Sequence, residues 1–455
     1  MQRRLKLWHM NTAAGQDAED LRNSRKGAEE CDQNKTWWQR LGPGIITGAA
    51  DDDPSGIGTY SANGAQFGYT LLWLVPLCLP PMIAIQEMCG RIGSITGQGL
   101  AAVLKQHYPR WLLLSCVALL IGANIFNIYA DLNVMAASTT MLFGIPFYTA
   151  LFITAGAVIL LQIFVPYRLY AQILKWLCLS LFGYVIVALL PGVHNDWPKI
   201  LKATFWPHIS LKSDSILAVV AFLGTTISPY LFFWQAGETV EEVIADGNSD
   251  GPGERMTAAT NQEIRNIRAD TIIGMTVSQL AALFIVVATA GTLHRQGITD
   301  INTAQDAAKA LLPLGPAAYW IFTLSMLGTG LLAIPTLAGS AAYAVAESAG
   351  WRYGLYRRFG RAKSFYLTIA VVVALGYGIN FIHAISPIKA LVYSAALNGV
   401  IAPPLMIVLL FICNNRRIMG ERTNGLWANV WGWVGIATMG PAAIYLIYAM
   451  LMEKA

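Results

Sequence analysis

The chain has 455 residues, 55% of them hydrophobic and only 13% charged, with a formal net charge of +5. A soluble protein carries about 25% charged residues, so this composition excludes a soluble globular fold and indicates a polytopic membrane protein embedded in a lipid bilayer. The basic surplus is spread over loops, where it sets orientation; it is not a nucleic-acid footprint.

Residues 1–40 are polar and of mixed charge, show no cleavable signal peptide, and read as a disordered cytosolic tail. A membrane-crossing helix needs about 20 mostly apolar residues. Eleven such segments follow, at 41–66, 69–93, 111–141, 147–165, 170–192, 214–237, 270–292, 315–346, 364–382, 388–413 and 428–450. Pro335 falls inside the eighth and Pro403-Pro404 inside the tenth. Basic residues gather in the tail and in alternate loops. Arg91, Lys105 and Arg110 follow the second segment, Arg168 the fourth, and Arg255, Arg265 and Arg268 the sixth. Arg352, Arg357, Arg358, Arg361 and Lys363 follow the eighth, and Arg416, Arg417 and Arg422 the tenth. The intervening loops are poorer in basic residues, although 194–212 holds Lys199, Lys202 and Lys212. An odd number of spans with basic even-numbered loops gives a cytosolic N-terminus and an external C-terminus in the cell (inner) membrane. The six cysteines (Cys31, Cys78, Cys89, Cys116, Cys178, Cys413) form no CxxC pair, and the six histidines have no metal-ligand spacing.

The first segment contains Asp51-Asp52-Asp53-Pro54-Ser55-Gly56. A charge at the bilayer centre costs about 2.5–3.5 kcal/mol on insertion scales. The proline and glycine that follow interrupt a helix. Free carbonyls, free amides and a carboxylate then collect at membrane depth, which is how a broken helix builds an ion site. The plainer alternative is a loop between short helices with solvated aspartates. In the sixth segment, Gly224-Thr225-Thr226-Ile227-Ser228-Pro229-Tyr230 repeats the theme, and Glu238, Glu241 and Glu242 follow at its polar end. A proline alone merely kinks a helix. Two interrupted spans five helices apart are the mark of an inverted repeat. The expected fold is therefore all-α, a 5+5 inverted repeat with broken first and sixth helices. Residues 41–192 form the first repeat and 214–413 the second, with an additional eleventh helix over 428–450.

Asp131 is the one charge in the third segment, beside Asn124, Asn127 and Asn133. It is open to two readings, an ion or proton pathway residue or an interhelical hydrogen-bond partner. Glu87 and Arg91 are four residues apart and read as a helix ion pair. Asn398-Gly399, just ahead of Pro403, is a pathway candidate. No nucleophile elbow, phosphate loop or paired acid/base motif marks an enzyme.

Leu41-Gly42-Pro43-Gly44, Asp53-Pro54, the run Gly64-Ala65-Gln66-Phe67-Gly68-Tyr69-Thr70-Leu71-Leu72-Trp73, Arg91-Ile92-Gly93, Thr96-Gly97 and Ala130-Asp131-Leu132 resemble the Nramp divalent-metal transporter family. The likeness is dense over 41–135, reaches about residue 345, and continues as helix layout. It implies the LeuT-type fold with eleven or twelve spans. The family's first-helix signature is Asp-Pro-Gly-Asn, whose Asp and Asn bind the metal. Asp53 stands at the Asp position and Gly56 at that of the Asn. The family's sixth-helix Met-Pro-His, with methionine as a ligand, is here Ser228-Pro229-Tyr230. Thr225 stands where the family offers a carbonyl, and Val134 matches the third-helix glutamate.

The resemblance thus implies a metal site of Asp53, Ser228, Thr225, Gly56 and Ala50, with Asp52, Asp51, Asp131, Asn398, Tyr230 and Glu238 along the pathway. Thioethers favour softer transition metals, whereas carboxylates, carbonyls and water suit magnesium, calcium and manganese. Two shortened side chains widen the pocket. Mg2+ keeps several waters and binds through one or two carboxylates. The expected function is import of hydrated Mg2+, with Mn2+ as a further substrate, by alternating access without proton coupling. The alternatives are a proton-coupled Mn2+/Fe2+ transporter of the ordinary family kind, a non-transporting sensor on the same fold, and an amino-acid transporter, which Asp51–Asp53 disfavour. No cofactor and no obligate protein partner are expected; the divalent ion is the substrate.

Overall fold

The structure, a computed structural model, describes residues 48, 51–165, 182–190, 193, 195–208, 210–245, 261–355, 359–382 and 386–452. The tail over 1–40, Ala50, Cys31, Cys178 and most of the fifth segment lie outside the described residues. Regular structure among the described residues is helical. We number the principal helices α1 (Pro54–Phe67), α2 (Leu74–Thr96), α3 (Arg110–Phe143), α4 (Phe147–Phe164), α5 (Phe182–Leu189), α6 (Ser213–Thr226), α7 (Pro229–Ala245), α8 (Asn261–Thr292), α9 (Ala318–Ala349), α10 (Lys363–Ile379), α11 (Pro387–Asn414) and α12 (Leu426–Met452). Every one of the eleven apolar segments contains one of these helices, the sixth being divided into α6 and α7.

The two divisions have the same local cause. Asp53 has extended backbone and caps α1, with Pro54 in the helix's first turn, where its missing N–H removes no hydrogen bond. In the sixth segment α6 ends at Thr226, Ile227 leaves helical geometry, and α7 starts on Pro229. The break in the first segment therefore falls at Asp52–Asp53. It does not extend to Gly56, which lies inside the first turn of α1. Gly56 was expected in the break because glycine disfavours a helix interior, but the Asp53 cap and Pro54 restart the helix ahead of it.

Packing follows the internal repetition. α1 packs on α8, and α7 packs on α2; moving α1 forward by five segments and α8 back by five gives the second pair. In the same way α3 packs on α4, and α9 on α10. α6 packs against α11, and glycine is required there: a Cβ at Gly224 would meet the Ala395 carbonyl and the Gly399 amide. Large apolar side chains of α3, α4, α10 and α12, such as Leu114, Phe152, Leu367 and Ile444, face outward, as a lipid-facing surface requires.

One end of the bundle is tied by arginines. Arg268 of α8 makes two hydrogen bonds to the buried Glu87 of α2, at 2.8 and 3.0 Å. Arg91 reaches the Arg422 carbonyl and Asn424 in the loop between α11 and α12. This corrects the expected Glu87–Arg91 pair: each side chain turns away from its own helix to satisfy a group on another. Cys78, Cys89, Cys116 and Cys413 are buried free thiols.

Candidate metal-cation site

The two breaks meet in the middle of the bundle. Asp53 Oδ1 accepts from the Gly56 amide at 2.6 Å, and the Tyr230 hydroxyl of α7 is bonded to the same carboxylate. The Tyr60 hydroxyl of α1 lies 3.1 Å from the hydroxyl of Thr226, at the end of α6. Thr225 Oγ1 stands 3.3 Å from the point a Cβ on Gly56 would occupy, and it has no hydrogen-bond partner. A helix that ends without continuing exposes amides or carbonyls. Here the Asp53 carboxylate takes the Gly56 amide, and the hydroxyls of Tyr60, Thr225, Thr226 and Tyr230 stand around the breaks.

Four carboxylates gather here. Asp51, Asp52 and Asp131 are fully buried, and Asp53 is 2% exposed. Tyr230 lies within electrostatic reach of all four, and Asp131 of α3 interacts with Asp53. The Asp131 carboxylate faces the Ser55 amide in the first turn of α1. Asp51 and Asp52 turn to α8, where Ser278 Oγ lies 2.8 Å from Asp51 and 3.3 Å from Asp52. Among the described residues no lysine or arginine pairs with any of the four. Burying several charged carboxylates without counter-charge is strongly unfavourable, and a cation is a charge that could balance them. No three Asp, Glu, His or Cys side chains converge closely enough to ligate one bare ion among the described residues.

The structure thus brings together Asp51, Asp52, Asp53, Gly56, Asp131, Thr225 and Tyr230. Ser228 occupies the break in the sixth segment, but its hydroxyl proton goes to the carbonyls of Gly224 and Thr225, each at 2.9 Å. Asn398 of α11 accepts from Asn127 of α3 at 3.2 Å, and Asn127 lies one turn before Asp131 on that helix. Glu238 is buried on α7 eight residues beyond Tyr230, about 12 Å along the helix, and is not part of the cluster. Ala50 lies outside the described residues. A wider pocket was expected from glycine at position 56. At its Cβ point, however, the Asp51 carbonyl and Thr225 Oγ1 stand at 3.3 Å and the Tyr60 ring at 3.4 Å, so neighbours have closed the space.

Three residues of the site were not legible in sequence. Ser278 is one hydroxyl in an apolar run, where most serines bond their own helix. Tyr60 reads as an aromatic core residue. Cys78 of α2 reads as a core thiol yet sits beside Thr226 and Asp51. A polar pair, Ser278-Gln279, in an otherwise apolar span is the signal that was there to be used.

Comparison with known proteins agrees with this architecture. The family model Nramp, described as natural resistance-associated macrophage protein-like, matches residues 44–449. The divalent metal cation transporter MntH of Klebsiella pneumoniae (strain 342) is 25% identical over 425 residues, covering 91% of this chain and 95% of that protein. The solved structure of the Eremococcus coleocola manganese transporter, in complex with an aromatic bis-isothiourea substituted compound, aligns with a TM-score of 0.70 at 16% identity, over 91% of this chain and 87% of that one. Mhp1, a nucleobase-cation-symport-1 family transporter, aligns at 0.54 with 13% identity, over 90% and 92% of the two chains.

Proposed function

The chain belongs to the Nramp family, and on that premise we propose that it carries a divalent metal cation across the bilayer by alternating access, with hydrated Mg2+ as its preferred substrate and no coupled proton. The observation that carries this reading is the cluster of four buried, base-free carboxylates at two facing helix breaks, with hydroxyl oxygens around them. The position where the resemblance places a thioether ligand holds Ser228, an oxygen donor. Carboxylate, carbonyl, hydroxyl and water suit hard ions. An ion that keeps its waters needs one or two carboxylates and hydrogen-bond acceptors beyond them. Asp53 is the central acid; Thr225, Ser228 and Tyr230 bind the ion or its waters, and Asp131 supplies field from α3.

The absence of proton coupling rests on two replacements. Tyr230 stands where the resemblance places a histidine, and Val134, buried and apolar, where it places a glutamate. Without a coupled proton the membrane potential supplies the drive, about 4.6 kcal/mol per 100 mV for two charges, twice the single-charge figure. The arginines gathered at one end of the bundle support that end as cytosolic, with the N-terminus on the same side and the C-terminus outside.

A second reading is favoured by one observation. The Cys78 thiol, against Thr226 and within electrostatic reach of Asp51, is a soft donor, and transition metals such as Mn2+ or Fe2+ accept it more readily than Mg2+ does. Uptake of Mg2+ into proteoliposomes carrying both a magnesium and a pH indicator tests the choice. The proposal expects potential-driven Mg2+ entry at constant internal pH, lost in Asp53→Asn. Internal acidification in step with ion entry, or no Mg2+ entry, overturns it.

A further inference from the structure

The four acids do not face one point. Asp53 caps α1 and meets Tyr230, with Asp131 opposite it. Asp51 and Asp52 instead converge on a single hydroxyl of a different helix, Ser278 of α8, at 2.8 and 3.3 Å. One hydroxyl has one hydrogen, so at most one of these carboxylates receives a full hydrogen bond at a time. The other oxygen of each, Asp51 Oδ1 and Asp52 Oδ2, is buried without a partner. A separate feature opens on the same residue. Thr225 Oγ1, buried and unpartnered, and the Asp51 carbonyl both stand 3.3 Å from the Cβ point of Gly56. Two carboxylates and a hydroxyl are a hard-cation donor set, and no basic side chain among the described residues balances it.

Resting on the reading of the chain as a cation transporter, we propose that Asp51, Asp52 and Ser278 form a second divalent-cation station, separate from the one at Asp53. The charge balance selects a divalent ion: one such ion neutralises both carboxylates, whereas a monovalent ion leaves a net negative charge buried. Two stations in series let an arriving ion displace the one ahead of it, so that binding is firm enough for entry and loose enough for release. The run of three aspartates then has a purpose that one narrow site cannot supply. The chain leaves helical geometry at Asp52 and Asp53, so the third acid caps α1 and turns to a different partner.

The test counts ions on the full-length protein in detergent, with Mn2+ as probe and the free ion measured by electron paramagnetic resonance. Wild type binds two Mn2+ per chain, Asp51→Asn/Asp52→Asn binds one, and Asp53→Asn binds one. Ser278→Ala, the milder variant should the double substitution not fold, keeps both ions but weakens one of them about tenfold, the lower range for losing a group that orients metal ligands. If wild type binds one ion that is lost in Asp53→Asn and kept in Asp51→Asn/Asp52→Asn, the second station does not exist and the central reading stands. If the double variant loses an ion while Asp53→Asn loses none, the second station stands and the assignment of Asp53 falls.

Discussion

Asp53 has two duties that a pair of variants separates. It caps α1, accepting from the Gly56 amide at 2.6 Å, and it contributes a charge to the cation site. Asparagine keeps a cap-competent oxygen and loses the charge; alanine loses both. Because both variants remove the same buried charge, the relief of repulsion from Asp51, Asp52 and Asp131 cancels between them, and what differs is the cap together with the acceptor for the Tyr230 hydroxyl. An N-cap replaced by alanine costs about 0.5–2 kcal/mol, typically ~1. Asp53→Ala therefore unfolds more easily than Asp53→Asn by about 1 kcal/mol in denaturation of the detergent-solubilised protein. Both variants lose the ion at the Asp53 site alike. A charge-assisted contact is worth about 1.5–3 kcal/mol, or roughly ten- to 150-fold in affinity. Equal stability of the two variants would refute the capping geometry. Mg2+ binding by Asp53→Asn at wild-type affinity would refute the role of the charge.

Other outcomes follow from the same geometry. Gly224→Ala drives a methyl into the Ala395 carbonyl and Gly399 of α11 and lowers stability by about 1–3 kcal/mol, seen as loss of monodisperse protein on gel filtration. Arg268→Ala leaves Glu87, 1% exposed, without its guanidinium. Because Arg268 is itself 55% exposed, the loss is only about 1–2 kcal/mol, and Glu87→Gln in the same background restores part of it in thermal denaturation. Ser228→Met adds a thioether at the sixth-helix break and shifts competitive uptake toward Mn2+ over Mg2+. Cys78→Ser leaves Mg2+ uptake within twofold; a collapse of Mn2+ uptake alone would favour the transition-metal reading.

Much of the architecture was written in hydropathy. Each of the eleven apolar runs holds a helix, because a span must satisfy its backbone internally and must be long enough to cross. The breaks were legible through Asp53-Pro54 and Ser228-Pro229, since proline at a helix start leaves the same local signature in both. The finer placement was not. Gly56 looked like part of a break because glycine weakens helices, but an adjacent cap decided where α1 begins. Glu87 and Arg91 looked paired because spacing along one helix is visible in sequence, whereas the position of Arg268 on a distant helix is not. Ser278 was missed for the same reason: a hydroxyl that serves another helix has no pattern of its own. Glu238 looked like a pathway acid, and only the direction and length of α7 separate it from the cluster.

The central claim is that an all-oxygen acidic site takes hydrated Mg2+. Its most direct test is Mn2+ uptake into proteoliposomes with and without millimolar Mg2+, in wild type and Asp53→Asn. The account predicts that Mg2+ enters and blocks Mn2+ entry, and that Asp53→Asn carries neither ion. Mn2+ entry undisturbed by millimolar Mg2+ would contradict it, showing selection of a transition metal by a site that holds no methionine at the sixth-helix break.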